Sequence, residues 1–428
     1  MRKTVICIFT TVLLVGLVPQ FVIAGGVDNK QNLSADYIGS ASRNAAIDGS
    51  DIAAYNPAGI MQLENGMYFE LDTQFLSLDY SHTYGDEAHE MTGLPIVPSI
   101  FSIYKQDKWA AYGTFTILGG GGLVEYDEGN IITEAIGNAA SAGLFAAYGL
   151  PGGSALTDGF AGAKSIYYAF TAGGSYALND MISVSAGARS VITTKEVDIH
   201  GTYAGAEILG KYEQDSDAFG GVVGLNYRPN EKVNVAFKYE TKLNLDWETV
   251  VDPDTKGTPG EYILIANGLV DGESYARDLA AVFATGVLWN VTPEFSISPS
   301  FTLYFDEDAD WGDVQNEARD GNSYDIAISA GNVFSEKLSA TAGYMYTATG
   351  MAADGYGLIE KMSPPLDCNT IALGTKYKYS EKITLSFGLM GCFYVSETAA
   401  AVPLAGTPEV EYAKTNYIGA LNLQYSFF

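Results

Sequence analysis

The sequence predicts an all-β fold: a fourteen-stranded antiparallel transmembrane β-barrel whose lumen is plugged by an N-terminal hatch. Three observations carry that expectation. Apolar residues recur with period two rather than in long runs, the segments that do so number fourteen, and the connections between them alternate between short and long. The chain has 428 residues, 51 Asp and Glu against 23 Lys and Arg, and is 47% hydrophobic with 29 Tyr and 20 Phe. A disordered acidic chain lacks such apolar and aromatic content. A nucleic-acid binder needs the opposite charge balance to displace counterions from phosphate, so no nucleic-acid partner is expected.

At the N-terminus, Arg2 and Lys3 precede an apolar run from Val5 to Val18, and Ala24 precedes Gly25 with Val22 at the third position before the cut. This is the pattern of a secretory signal peptide over residues 1–24, with a core too short to span a bilayer. Its removal leaves 21 basic residues against 51 acidic ones, a charge of −30. Cys7 leaves with it. Cys368 and Cys392 stay in an oxidising compartment, where a disulfide is permitted but not dictated.

The barrel is expected over residues 66–428. From Val233 to Trp247 one face reads Val233, Val235, Phe237, Tyr239, Thr241, Leu243, Leu245, Trp247 and the other Asn234, Ala236, Lys238, Glu240, Lys242, Asn244, Asp246. That is a strand with one apolar and one polar side. The same count places strands near 66–80, 97–104, 108–118, 164–178, 181–196, 216–228, 232–247, 275–289, 294–305, 322–334, 338–348, 368–379, 382–395 and 415–428. An even number of such strands suits closure, which removes the edge whose backbone groups lipid cannot satisfy. Six connections are short and turn-like, at Gln106-Asp107, Asn179-Asp180, Arg228 to Glu231, Asn290 to Pro293, Ser335 to Lys337 and Ser380-Glu381. They are expected on the periplasmic side, and the other seven are expected to be longer external loops. Trp109, Tyr176, Tyr227, Trp289, Phe334 and Tyr379 fall at periplasmic strand ends, and Trp247, Phe305 and Tyr346 at outer ends, as interfacial belts require. The terminal Leu421, Leu423, Tyr425, Phe427, Phe428 resembles the aromatic C-terminal signature of outer-membrane proteins.

Residues 25–65 precede the first strand. They include Ser34 to Ala46, then Asp51 to Gly59 with Asn56-Pro57-Ala58. Ser34 suits the cap of a helix over Ala35–Ala46, and Pro57 biases Asn56 toward an extended backbone. The stretch resembles the hatch of the FadL family of outer-membrane transporters for long-chain fatty acids and other hydrophobic compounds, with Asn56-Pro57-Ala58 at the family's NPA motif. The resemblance covers the hatch by motif and the rest by architecture. It implies a bacterial outer-membrane protein that passes fatty acids or hydrocarbons by passive, hatch-gated diffusion with lateral exit, without enzymatic activity, cofactor or metal. Its partners would be a hydrophobic small molecule, outer-membrane lipid and lipopolysaccharide, with the chain acting as a monomer. A general porin for polar solutes is the competing reading. A barrel lipase is a third, but His82, His89 and His200 fall in expected loops with no Ser/His/Asp arrangement.

The connection from Gly119 to Gly162 carries the ligand candidates. Ile132, Ile136, Ala140, Leu144 and Tyr148 fall four apart, as one helix face would, with Phe145 beside them. The resemblance implies that external-loop helices form an apolar capture groove and that a kink in the third strand opens the wall; Gly113 and Gly119 to Gly122 would permit one. Arg189, Lys195, Lys238, Lys242, Lys376 and Lys378 are predicted to face the lumen. Arg189 and Lys238 are the candidate carboxylate partners, because burying an unpaired charge is prohibitive, although Lys238, Glu240 and Lys242 also suit pairing within the barrel. Asp306, Asp308, Asp310 and Glu317 match the acidic positions of an EF-hand loop, but Gly312 comes one place late, so the segment reads as a solvated acidic loop.

Overall fold

The computed structural model describes residues 31–84, 87–312, 321–351, 361–399 and 409–427. The expected signal peptide, residues 25–30 of the hatch, Glu317 and Phe428 lie outside them. The strands are β1 (Gly66–Tyr84), β2 (Glu87–Gly93), β3 (Ile96–Gln106), β4 (Trp109–Tyr126), β5 (Leu156–Ala177), β6 (Ile182–Tyr203), β7 (Ala206–Asn230), β8 (Val233–Glu240) and β9 (Asp246–Val251), followed by β10 (Ser274–Ala276), β11 (Val282–Asn290), β12 (Phe295–Tyr304), β13 (Tyr324–Ser335), β14 (Leu338–Ala348), β15 (Cys368–Lys378), β16 (Ile383–Tyr394), β17 (Glu397–Ala399) and β18 (Val410–Phe427). Four wall strands are each split in two. β1 pairs with both β2 and β3, β7 with both β8 and β9, β10 and β11 follow β9 and β8, and β16 and β17 both pair with β18. The wall is therefore fourteen antiparallel strands, closed where β1 runs along β18 from Met67 opposite Phe427 to Thr83 opposite Glu411. Closure follows from the bilayer, which offers no partner to an open edge.

Side-chain parity obeys the alternation. In β1 the even residues Tyr68, Glu70, Asp72, Gln74, Leu76, Leu78, Tyr80 and His82 are buried in the lumen, whereas Met67 and Phe75 face outward. Trp109, Tyr176, Tyr227, Trp289, Phe334 and Tyr379 are all exposed outward at the short-turn end, as a girdle requires. Cys368 and Cys392 are buried free thiols on neighbouring β15 and β16.

The six short turns occur where the sequence puts them. The seven others are not all long. Residues 197–215, expected as a loop, continue β6 and β7 into a hairpin closed by Ala204 and Gly205 alone, both left-handed at φ 51° and 83°. Positive φ at both central residues gives a two-residue turn whose twist matches its strands. β5, β6 and β7 have 22, 22 and 25 residues, about twice what a bilayer needs, so they extend past the membrane as a rampart. His82, His89 and His200 accordingly belong to strands β1, β2 and β6, not to loops.

The strands expected over 232–247 and 275–289 are also interrupted. Lys238 and Glu240 face the lumen in β8, but across the break at 241–245 the inward parity moves to Trp247, Thr249 and Val251. Its partner changes parity with it: Val282 and Ala284 are buried in β11, and Tyr275 pairs with Trp247 in β10. A one-residue slip exchanges the two faces of a strand. Trp247, expected in the outer belt, is thus fully buried beside Leu243, Leu245, Leu279, Leu118 and Tyr167.

Candidate functional site

Residues 31–65 lie inside the barrel. The helix begun at Ser34, whose Oγ accepts from the Tyr37 N–H at 3.1 Å, ends at Ile38 and not at Ala46. Contact with the wall stops it. Gly39 abuts Gly374, and Ala41 turns left-handed at φ 55°. Beyond it, Ser42 donates to the Ser298 carbonyl (3.0 Å) and Asn44 to Thr302 Oγ1 (3.0 Å). The wall is shaved to admit this backbone: a Cβ on Gly343 would run into the Ser40 carbonyl, and one on Gly388 into that of Ala35.

Asn56, Pro57 and Ala58 are each held by a different strand. Asn56 donates from Nδ2 to Ala46 O (2.9 Å) and to Asn226 Oδ1 on β7 (2.8 Å), while its Oδ1 accepts from the Gly59 N–H (3.1 Å). Ser175 Oγ on β5 donates to Pro57 O at 2.6 Å, and Ser183 Oγ on β6 to Ala58 O at 2.7 Å. On the opposite side Lys376 of β15 pairs with Asp36 (2.5 Å) and Asp48 (2.6 Å), and Arg43 binds Asp48 and Asp51. Burial alone would raise the Asp36 carboxyl, but Lys376 and Arg43 outweigh it and hold Asp36 below the usual carboxylate range. Two cavities of about 330 and 350 Å³ flank the Lys376 pairs, between this segment and the wall.

Of the candidate carboxylate partners, Arg189 makes a bidentate pair with Glu240 at 2.5 and 3.0 Å, and Lys238 reaches Glu240 at 2.7 Å and Ala54 O at 2.7 Å. Glu240 therefore pairs with both, leaving the triad one net positive charge, and Lys238 ties it to the N-terminal segment through the Ala54 carbonyl. Lys242 pairs with Asp278 at 2.8 Å. Lys195 differs: its Nζ donates to Tyr275 OH at 2.9 Å and lies 4.6 Å over the Trp247 ring. Among the described residues no carboxylate pairs with it.

Above the segment an apolar cluster enters the lumen. A single cluster runs from Leu33, Tyr37, Ile38 and Tyr55 through Leu78, Phe101 and Met390 to Ile132, Ile136 and Phe145 of the external connection. Asn130 caps the helix Ile131–Ser141, which ends there because Gly143 turns left-handed at φ 89°. Leu144 and Tyr148 therefore leave the face of Ile132 and Ile136: those two are buried with Phe145, while Leu144 and Tyr148 are 42% and 43% exposed. Phe145 meets Tyr262 edge-on at 6.3 Å. Tyr262 belongs to a second external helix, Pro259–Ala266, on which Ile265 is 51% exposed. The Thr258 cap and Pro259 at the first position are the sequence signals for that helix.

The β3–β4 ladder ends at Ile100 opposite Phe115, and β4 slips register against β5 between Ile117 and Gly122. Gly120 and Gly122 have φ of 106° and 78°, and a side chain at Gly120 would strike Ser165 O. Gly113 stays in regular pairing with Ser102 and Ala172. The bend is at Gly119 to Gly122 alone.

In the acidic loop the Asp306 carboxylate accepts from the Ser323 N–H at 2.8 Å. Among the described residues no helix is long and apolar enough to cross a membrane, which leaves crossing by strands untouched.

No protein-family model matches the chain, and no curated protein matches it in sequence. Solved structures do match. A FadL homologue from Pseudomonas aeruginosa aligns over 94% of this chain and 100% of its own, with TM-score 0.70 and 14% identity. The Pseudomonas putida toluene transporter TodX aligns over 92% and 98%, with TM-score 0.65 and 12% identity. The Ralstonia pickettii toluene transporter TbuX aligns over 92% and 98%, with TM-score 0.57 and 13% identity. At these identities the likeness establishes architecture, and the chain has the fourteen-stranded barrel fold that the FadL homologue and the toluene transporters share.

Proposed function

We propose that the chain is a bacterial outer-membrane channel, acting as a monomer, that admits hydrophobic small molecules by passive diffusion. The observation that carries this reading is an apolar cluster running from the external helix into the lumen and, beneath it, an N-terminal segment tied to the wall by hydrogen bonds and ion pairs. An apolar molecule entering from outside would be welcomed by the first and stopped by the second. Leu144, Tyr148, Tyr262 and Ile265 would capture it, Ile132, Ile136 and Phe145 would line its entry, and the unpaired stretch of wall between β3 and β4 would let it leave sideways into the bilayer. Residues 25–65 act as the hatch, with Asn56, Pro57 and Ala58 as its fixed hinge. Lipopolysaccharide would surround the external rampart, and no catalytic role is assigned.

Arg189 and Lys238 are committed to Glu240, which favours an uncharged hydrocarbon such as toluene, the compound that names two of the structural neighbours. A fatty acid is the second reading. Lys195, a buried cation without a carboxylate partner among the described residues, favours it. The test is uptake of labelled toluene and of a long-chain fatty acid into proteoliposomes. Toluene uptake that survives Lys195→Met supports the first reading, and fatty-acid uptake lost in that variant supports the second. In planar bilayers the intact protein should carry little steady current, and removal of residues 25–65 should open it. Large currents from the intact protein would make it a porin for polar solutes and overturn the proposal.

A further inference from the structure

A cluster of metal-binding side chains lies where the helix Ile131–Ser141 meets β2. Glu87 and His89 are two apart on β2 and so share one face of the strand. Glu134 comes from the first turn of the helix Ile131–Ser141. One donor atom from each lies within 4.8 Å of the other two. The chain separation makes the meeting informative: more than forty residues part Glu134 from β2. The helix start that places Glu134 is fixed by the Asn130 cap and by Thr133 Oγ1, which accepts from the Asn130 N–H at 2.8 Å.

The hydrogen-bonding account points to a missing partner. His89 Nε2 is screened from solvent and has no hydrogen-bond partner among the described residues. His82 is fully buried directly opposite His89 in the β1–β2 ladder. Its Nε2 meets Tyr126 OH at 3.1 Å, yet its Nδ1 also lacks a partner. Buried polar atoms are nearly always satisfied, so an imidazole with an orphaned nitrogen, and with a ring nitrogen within 4.8 Å of two carboxylates that make no ion pair with described residues, calls for a cation.

We infer that Glu87, His89 and Glu134 form a site for a divalent transition-metal ion of the zinc type. The imidazole selects against Ca²⁺ and Mg²⁺, which take oxygen ligands. Zinc accepts one nitrogen and two carboxylate oxygens at about 2.1 Å, with water completing the shell. Donors on such an ion lie roughly 3.4 Å apart, a contraction that the flexible Glu side chains permit. The bound ion would tie the helix Ile131–Ser141 to β2. It would thereby stiffen the connection that carries Leu144 and Tyr148.

The test is calorimetric titration of Zn²⁺ into the full-length, detergent-solubilised protein after chelator treatment. One saturable equivalent is expected, with affinity reduced about tenfold or more in Glu134→Gln and His89→Asn. His200→Asn removes the other partly exposed histidine and should bind as the wild type does. Zn²⁺ should also slow proteolysis within residues 142–155 in the wild type but not in the two variants. Unchanged binding in both variants, or only non-saturable uptake, overturns the inference. Metal-free melting of each variant at the wild-type temperature excludes misfolding as the cause of lost binding.

Discussion

The inner and outer halves of the lumen are closed by different physics. In the inner half, directional bonds from β5, β6, β7, β12, β14 and β15 hold the N-terminal segment, and its backbone touches wall glycines. In the outer half, the helix Ile131–Ser141 is capped internally and meets its surroundings through Ile131, Ile132 and Ile136, with Phe145 packed beyond its end. Apolar contact is non-directional and tolerates sliding, whereas a hydrogen-bonded network has one arrangement. A stiff floor beneath an adaptable apolar roof is what a passive pathway for hydrophobic molecules requires, because the roof must yield to a ligand and the floor must not leak.

Glu240→Gln should break this contrast most severely. It leaves Arg189 and Lys238 buried beside a neutral amide, and uncompensating a buried pair costs about 3–5 kcal/mol. Chemical denaturation of the folded barrel should read that loss, and Lys238 should release the Ala54 carbonyl. A variant of wild-type stability would mean that water already screens this triad.

Gly343→Val should follow, at about 1–3 kcal/mol for overpacking. The added side chain meets the Ser40 carbonyl. Displacement of the segment should raise planar-bilayer conductance above wild type while the barrel itself stays folded. Unchanged conductance would show that the seat at Gly343 is not needed to hold the floor.

The same contrast decides what was legible in the sequence. Period two and turn chemistry are local properties, so the fourteen strands and six short turns could be read directly. Where strands outrun the membrane their apolar row, Val197, Ile199, Tyr203, Ile208 and Tyr212, is turned inward and buried, so no outward apolar row marks them, and the hairpin closed by Ala204 and Gly205 reads as a loop. The parity slip at 241–245 keeps an alternating pattern on both sides of the break, so the pattern alone puts Trp247 on the wrong face. In the inner half, Asn56-Pro57-Ala58 stood out by motif. Their partners Asn226, Ser175 and Ser183, and the pairing of Lys376 with Asp36 and Asp48, are long-range meetings that no local spacing encodes. In the outer half, Gly143 was the sign that Leu144 and Tyr148 depart from the helix face, and a four-residue periodicity concealed it.

That departure supplies the mildest test. Leu144 and Tyr148 are half exposed, whereas Phe145 between them is buried against Tyr262. Replacing both exposed residues with Ser removes apolar surface that a ligand would cover but breaks no buried contact, so folding should be nearly unaffected. At roughly 25 cal/mol per Å² of apolar surface, losing about 100 Å² of contact weakens capture by about 2.5 kcal/mol at most, and by less if the site is wet. Toluene uptake at low concentration should fall severalfold and recover as concentration rises, because a capture site lowers the concentration needed without setting the rate of exit. Phe145→Ser should instead destabilise the external connection itself. If the double variant lost uptake at every concentration, the two residues would belong to the obligatory path, and the roof would be as specific in its contacts as the floor.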